Sequence, residues 1–152
     1  MFREYINSPI GPIEIICDER FLLSVSFVKK ANKKEAPNKL TEQTNRQLYE
    51  YFQGKRTKFD IPLKLEGTEF QTKVWTELRK IPYGQLKTYG SLAKSIDRPS
   101  ASRAVGGANN RNKIGIIIPC HRVVGVGGKL VGYAPGLKYK KFLLKLEGSL
   151  EE

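Results

Sequence analysis

The hydrophobic period of this 152-residue chain changes once, between Pro62 and Thr68, and that change commits it to two differently built parts. Before it, short apolar runs alternate with turn signals: "SPIGP" at 8–12 and "DER" at 18–20 separate "IEIIC" from "FLLSVSFV". Runs of that length, bounded by Gly, Pro and Asp, predict a small antiparallel sheet over Glu4 to Val28. The lysine-rich "KKANKKEAPNK" at 29–39 reads as a loop, after which Leu40, Gln47, Leu48, Tyr51 and Phe52 recur at helical spacing until Gly54 stops them. The expectation is an α+β chain: a domain at 1–62, a linker at 63–67 and a second domain at 68–152.

Beyond the linker the grammar is helical. Thr68 and Gln71 form a Thr-x-x-Gln capping box, and Phe70, Val74, Trp75 and Leu78 make the apolar stripe of the helix it opens. "IPYG" at 81–84 breaks that helix. "TYGSLAKSI" at 88–96, "DRP" at 97–99 and "SASRAVGGANN" at 100–110 then have helix-turn-helix spacing, with Ser100 as the expected N-cap. "KIGIII" reads as a buried strand, "VVGVGGKLVG" as a glycine-turned hairpin or wing, and Leu137 to Leu146 as a basic amphipathic helix. The second helix of the pair is unusual, because Gly106 and Gly107 each cost about 1 kcal/mol relative to alanine in a helix interior. With Ala101, Ala104 and Ala108 they leave a nearly bare face, suited either to tight helix packing or to close approach of a nucleic-acid groove.

Charge narrows the partners. The net charge is +12, and it is lopsided: residues 1–62 hold 11 Lys and Arg against 8 Asp and Glu, whereas residues 63–152 hold 16 against 7. A basic C-terminal part fits a polyanion, although a well-solvated surface stays open on charge alone. The first twenty residues carry early charges and no apolar run of membrane-spanning or signal length, so a cytoplasmic protein without a membrane partner is expected. Two cysteines 103 positions apart and one histidine provide neither a disulfide framework nor metal-site spacing, and no metal or cofactor is expected.

Chemistry concentrates in "IIIPCHRVVG", where Cys120 stands beside the only histidine, His121. Cys17, inside a strand, reads as a small buried hydrophobe. A thiol with an ordinary pKa of about 8.5 needs a base to become a thiolate near neutrality, and a histidine oriented by a carboxylate supplies one. Glu147, at the end of the final helix, is a candidate carboxylate. A thiol hydrolase, a redox thiol and a group acceptor all remain open, the last needing only a thiolate and an electrophile.

"IPCHRVVG", preceded by "ASRAVGGANNRNK" and followed by "GYAPGLKYKKFLLKLEG", resembles the O6-alkylguanine-DNA alkyltransferases over Thr68 to Gly148, and "SPIGPIEI" and "YFQGKRTKFDIPL" resemble them more loosely. The resemblance implies a ribonuclease H-like N-terminal domain, a winged helix-turn-helix-like C-terminal domain, and irreversible, single-turnover transfer of an alkyl group from guanine O6, and possibly thymine O4, in double-stranded DNA to a cysteine. It implies that Cys120 is the acceptor, that His121 takes its proton through a water and that Glu147 holds the imidazole. Tyr89 would donate toward guanine N3, and Asn112 would tie the helix-turn-helix to the active-site strand. Tyr133 would wall the base pocket, and the backbones of Val123 and Ala134 would read the guanine edge. DNA contacts would come from Ser102, Arg103, Ala104, Gly106 and Ala108 on the second helix and from Arg111 and Arg122, with Arg103 entering the stack where the base leaves. The structural zinc of some family members cannot be built here. A monomer acting on DNA is expected, against the alternative of a helix-turn-helix module whose cysteine senses alkylation or oxidation.

Overall fold

The computed structural model describes residues 1–150 and divides into two compact units: Met1–Lys64 with Lys113–Ile117, and Leu65–Asn112 with the chain from Ile118 onward. In the first unit, β1 (Phe2–Ser8), β2 (Gly11–Cys17) and β3 (Leu22–Phe27) form an antiparallel sheet in the order β1-β2-β3. Alternation turns Ile13, Ile15 and Cys17 of β2 to the core, where Leu22, Val25, Leu48, Tyr51 and Ile61 meet them. Helix α1 (Lys39–Phe52) is opened by a reciprocal cap in which Asn38 and Thr41 each accept from the other's backbone N–H. It covers β1 and β2. The outer edge of β3 is closed by two single parallel bridges, Leu22 to Leu63 and Val25 to Ile114. Cys17 is fully buried, and burial pushes its thiol up to about 12, so it is an inert core group.

The second unit holds α2 (Glu69–Leu78), α3 (Tyr89–Ser95), α4 (Ser102–Asn110) and α5 (Leu137–Leu146), with a two-residue parallel pair, β4 (Lys87–Thr88) and β5 (Val123–Val124). The Thr68–Gln71 capping box forms as expected. Trp75 lies on the buried face of α2, and its indole N–H donates to the Ala108 carbonyl at 2.8 Å, tying α2 to α4. Thr88 caps α3 by accepting from the Ser91 N–H. The turn between α3 and α4 passes through Asp97 at φ 59°. No helix among the described residues is long and apolar enough to cross a membrane.

Three local expectations are corrected. Ser100 is not the N-cap of α4: the cap residue is Ala101, which has no capping side chain and whose N–H is taken by the Arg98 carbonyl in a turn. "KIGIII" is buried but is not a strand. Ile114 makes one bridge, and the chain then turns through Ile116 at φ 68° with the Ile117 N–H on the Gly115 carbonyl. An apolar run specifies burial and leaves open how its backbone groups are paired. The glycine-turned hairpin is instead a compact turn, closed by the Gly125 N–H on the Lys129 carbonyl and carried through Gly127 and Gly128 at positive φ.

Candidate active site

Pro119, at φ −80° and ψ 62°, makes an inverse γ-turn in which the Cys120 N–H donates to the Ile118 carbonyl at 2.8 Å. A single 3₁₀ turn over Cys120–Arg122 follows, so the thiol begins a tight helical turn rather than ending a strand. Two further ties fix it. Asn112 donates from Nδ2 to the Ile118 carbonyl at 2.9 Å, and Asn109 donates from Nδ2 to the Cys120 carbonyl at 3.3 Å. The parallel β4–β5 pair sets Thr88 beside Val124, which brings Tyr89, the next residue, alongside the active-site segment.

The thiol of Cys120 is buried, and burial pushes its pKa up, against the Asn112 amide, the Lys140 charge and the Tyr133 hydroxyl. His121 is fully buried, and its Nε2 lies 2.8 Å from Glu147 Oε2. Glu147 cannot donate while ionised, so Nε2 carries the proton and Nδ1 presents a lone pair. Nδ1 has no hydrogen-bond partner among the described residues. Burial draws the His121 pKa down and outweighs the Glu147 carboxylate, which leaves a neutral imidazole at physiological pH. No hydrogen bond joins Cys120 and His121 directly among the described residues.

Arg122, expected on DNA, is turned inward instead. Its Nε and Nη2 grip the Glu147 carboxylate at 2.8 and 2.9 Å, and its Nη1 donates to the Ile81 carbonyl at 2.7 Å. With an exposure of 6% it cannot reach a phosphate. Burial alone would raise the Glu147 pKa, but the hydrogen bonds from His121 and Arg122 hold it down at about 2. The Glu147 carboxylate is therefore fixed from two sides, and a guanidinium fork sets the plane in which it meets the imidazole.

Lys140 is a site residue that sequence reasoning missed. It is fully buried, and Nζ donates to the carbonyls of Val123, Val131 and Gly132 at 2.6, 3.2 and 3.2 Å. Burial draws its pKa down to about 8, so it still carries charge near neutrality. A signal existed: Lys140, Leu143, Leu144 and Glu147 fall at i, i+3, i+4 and i+7, and all four are buried. Tyr89 donates its hydroxyl to the same loop, at 3.2 Å from the Val131 carbonyl, and its ring lies 5.9 Å from Lys140 Nζ. The Tyr133 hydroxyl is buried and faces the thiol without a hydrogen bond of ordinary geometry; burial first, then Cys120, raises its pKa. Val123 is buried, with one carbonyl lone pair used by Lys140, and Ala134 is exposed.

Helix α4 has one packed side and one exposed side. Val105, Ala108 and Asn109 turn inward, and a side chain grown on Gly106 would lie 3.8 Å from the Tyr89 ring. Ala108, expected on DNA, therefore belongs to the packed side, where its carbonyl receives Trp75. Arg103, Ala104 and Arg111 are exposed, as are Gly107, part of the expected bare face, and Asn110, which was not expected there; Ser102 and Gly106 are half-buried. The solvent side of α4 thus carries small residues flanked by two arginines. Among the described residues no three metal-ligating side chains lie together.

Two family models cover most of the chain: residues 1–65 match the 6-O-methylguanine DNA methyltransferase ribonuclease-like domain, and residues 69–149 match the DNA binding domain of the same name. A methylated-DNA-protein-cysteine methyltransferase of Methanosarcina acetivorans is 54% identical over 155 residues, covering 98% of this chain and 99% of the relative. The protein of that name from Mycobacterium tuberculosis H37Rv is 43% identical over 150 residues, covering 95% and 90%. The crystal structure of Mycobacterium tuberculosis OGT in complex with DNA superposes with a TM-score of 0.90 at 41% identity, covering 98% of this chain and 94% of the other. An O6-methylguanine DNA methyltransferase from Methanococcus jannaschii superposes at 0.69 with 30% identity, covering 100% and 95%.

Proposed function

This chain belongs to the 6-O-methylguanine DNA methyltransferase family, and from that membership and its site we propose that it repairs DNA by moving the alkyl group of O6-alkylguanine onto Cys120 in a single, irreversible event. The observation that carries the reading is the buried His121, neutral, held by Glu147 on one nitrogen and open on the other, one residue from the thiol. His121 Nδ1 takes the thiol proton through a bridging water, because adjacent side chains on this turn do not meet directly. The thiolate attacks the alkyl carbon, a C–S bond forms, and the C–O bond breaks with its electron pair passing into guanine. Tyr89 donates toward guanine N3 and offsets that charge, and the proton released from the thiol restores neutral guanine. The product thioether has no proton to lose and a strong C–S bond, so the chain does not turn over.

Small residues and arginines on the outer side of α4 support its entry into a DNA groove, with Tyr133, Val123 and Ala134 around an extruded base. Ser102, Ala104, Gly106 and Arg111 would follow the backbone. Arg103 fills the space the base vacates. A free thiol nucleophile suits the reducing cytoplasm, and one chain supplies every group of the site, which supports action as a monomer.

After mixing with a duplex containing O6-methylguanine, intact mass is expected to rise by one methyl group, with the adduct on Cys120. Cys120→Ala is expected to bind DNA without transfer. An adduct on Cys17, or several turnovers per molecule, overturns the acceptor mechanism. Arg103→Ala is expected to slow repair of duplex DNA far more than reaction with the free base, which needs no flipping; equal slowing removes the flipping role.

A further inference from the structure

The lysine-rich loop between β3 and α1 is a cluster of charge that the mechanism above does not use. Residues 29–39 hold five lysines against one carboxylate, Glu35, whereas the rest of residues 1–62 hold six Lys and Arg against seven Asp and Glu. The loop therefore supplies all of the net positive charge of that part. Lys29, Lys30, Lys33, Lys34 and Lys39 are exposed, and none is in an ion pair among the described residues. The loop backbone is nevertheless pinned, because it lies along the outer edge of β1. Arg3 and Ala36 exchange both backbone hydrogen bonds, at 2.9 and 2.8 Å. The Lys33 N–H donates to the Tyr5 hydroxyl at 3.3 Å, and the Tyr5 N–H donates to Glu35 Oε2 at 2.9 Å. The loop's one carboxylate is thus held against the strand while its lysines are left to solvent. Within the pairs Lys29–Lys30 and Lys33–Lys34 the backbones are about 3.8 Å apart, inside a screening length of about 8 Å, so the ammonium groups repel one another. Lysines also guard sheet edges against stray chains, but Arg3 and Tyr5 of this edge are already paired, and Lys29 and Lys30 come before the segment that pairs them.

We propose that this loop is a DNA contact belonging to the first unit: Lys29, Lys30, Lys33 and Lys34 take the phosphates of duplex DNA without reading its bases, so that affinity is shared between the two units. An extended chain covers at most about 3.6 Å per residue, which keeps Lys29 and Lys34 within about 18 Å of each other. One DNA strand carries a phosphate for about every 3.4 Å of axis, so the loop can face a run of about five. Phosphates between the ammonium groups relieve their mutual repulsion, and the counterions those phosphates had condensed are released. The pinned backbone helps, since the order that DNA would otherwise have to impose on the loop is already imposed by β1. Such contacts act on undamaged duplex, so they hold or fail independently of alkyl transfer to Cys120.

The test is the salt dependence of binding to an undamaged duplex, followed by fluorescence anisotropy, for the full chain and three variants. These are K29Q/K30Q/K33Q/K34Q, the charge-keeping K29R/K30R/K33R/K34R, and K55Q/K58Q/K64Q, which removes exposed lysines elsewhere on the same unit. Each lysine on a phosphate contributes about 0.9 to the slope of log affinity against log salt, so the fourfold Gln variant is expected to lose about 2 to 4 from the wild-type slope. The Arg variant is expected to keep that slope, and the Lys55, Lys58 and Lys64 variant to lose less than about 1. Circular dichroism and urea unfolding check that each variant is folded, and the pairs K29Q/K30Q and K33Q/K34Q, each with about half the loss, are read where the fourfold variant is not. A fourfold Gln variant within about 0.5 of the wild-type slope overturns the proposal and leaves the loop a solvated surface or a contact for an acidic protein. Equal loss per lysine in the control, or the same loss in the Arg variant, overturns it as well, because the effect would then belong to overall charge or to the loop's shape.

Discussion

Replacing Glu147 by Gln is expected to destabilise the protein and stop transfer for the same reason. The carboxylate is fully buried and accepts three hydrogen bonds, one from His121 and two from Arg122. An amide of the same shape puts an NH₂ against donors it cannot satisfy and leaves the Arg122 charge without a counterion. Breaking a buried ion pair by removing one partner costs about 3 to 5 kcal/mol. Linkage gives a similar size: lowering a carboxyl from 4.5 to about 2 corresponds to about 3 kcal/mol. Against a typical domain stability of about 5 to 15 kcal/mol this is a large fraction. Because the folded pKa is depressed, the contribution is full above the unfolded carboxyl pKa and is lost as pH falls toward 2. His121 adds an earlier acid step: its folded pKa lies below 6.5, so the unfolded chain takes the proton first and stability begins to fall as pH drops below that value. The assay is urea unfolding followed by fluorescence of Trp75, the only tryptophan and a buried residue of the second unit, across pH. Glu147→Leu combined with Arg122→Met is expected to recover much of the stability, since an apolar pair leaves no orphaned charge, while transfer stays lost. A loss below about 1 kcal/mol in Glu147→Gln, or a double variant no more stable than the single one, refutes the account of Glu147 as the keystone of a buried pair.

Lys140→Met is expected to slow transfer more at pH 7 than at pH 9, because the ammonium that helps the thiol ionise is lost at pH 7, whereas in the wild type it is already discharged well above its pKa of about 8; equal slowing at both pH values leaves only its grip on the Val123, Val131 and Gly132 carbonyls. Asp97→Val is expected to cost about 1 to 2 kcal/mol in urea unfolding and Asp97→Gly little, since the turn between α3 and α4 holds this residue at φ 59°; similar losses in both would show that the side chain rather than the backbone matters there.

The sequence displayed what depends on local pattern. The Thr68–Gln71 capping box, the alternation of β2 and the helix-turn-helix spacing each follow from a few neighbouring residues and recur in the fold. Glu147 was one of few carboxylates in the basic part, yet a solvated helix end was the stronger reading of its residues alone, and only the family resemblance assigned it to His121. What failed depends on contacts far along the chain. Arg122 looks like a DNA ligand in a basic segment until Glu147, 25 residues on, claims it. Lys140 looks like one more solvated lysine of a basic helix, and only the spacing shared with two leucines and Glu147 marks it for burial. The isoleucines at 114–118 announced a core position correctly, but burial of side chains does not decide backbone pairing, and Ile116 at φ 68° is a conformation that no β-branched residue advertises.

The return of Lys113–Ile117 to the first unit sets the order in which that unit can be finished during synthesis. The strands and α1 leave the ribosome first, yet the bridge on Val25 waits for Ile114, which emerges only after α2, α3 and α4. Until then the Val25 part of the outer edge of β3, beyond the Leu22–Leu63 bridge, is left with open backbone donors and acceptors, the feature by which sheets recruit stray chains. Division of the gene at the linker would make that interval permanent, leaving one fragment with the open edge and the other with Ile114 and Ile116 uncovered. The two products should therefore aggregate when made separately and stay soluble when made together.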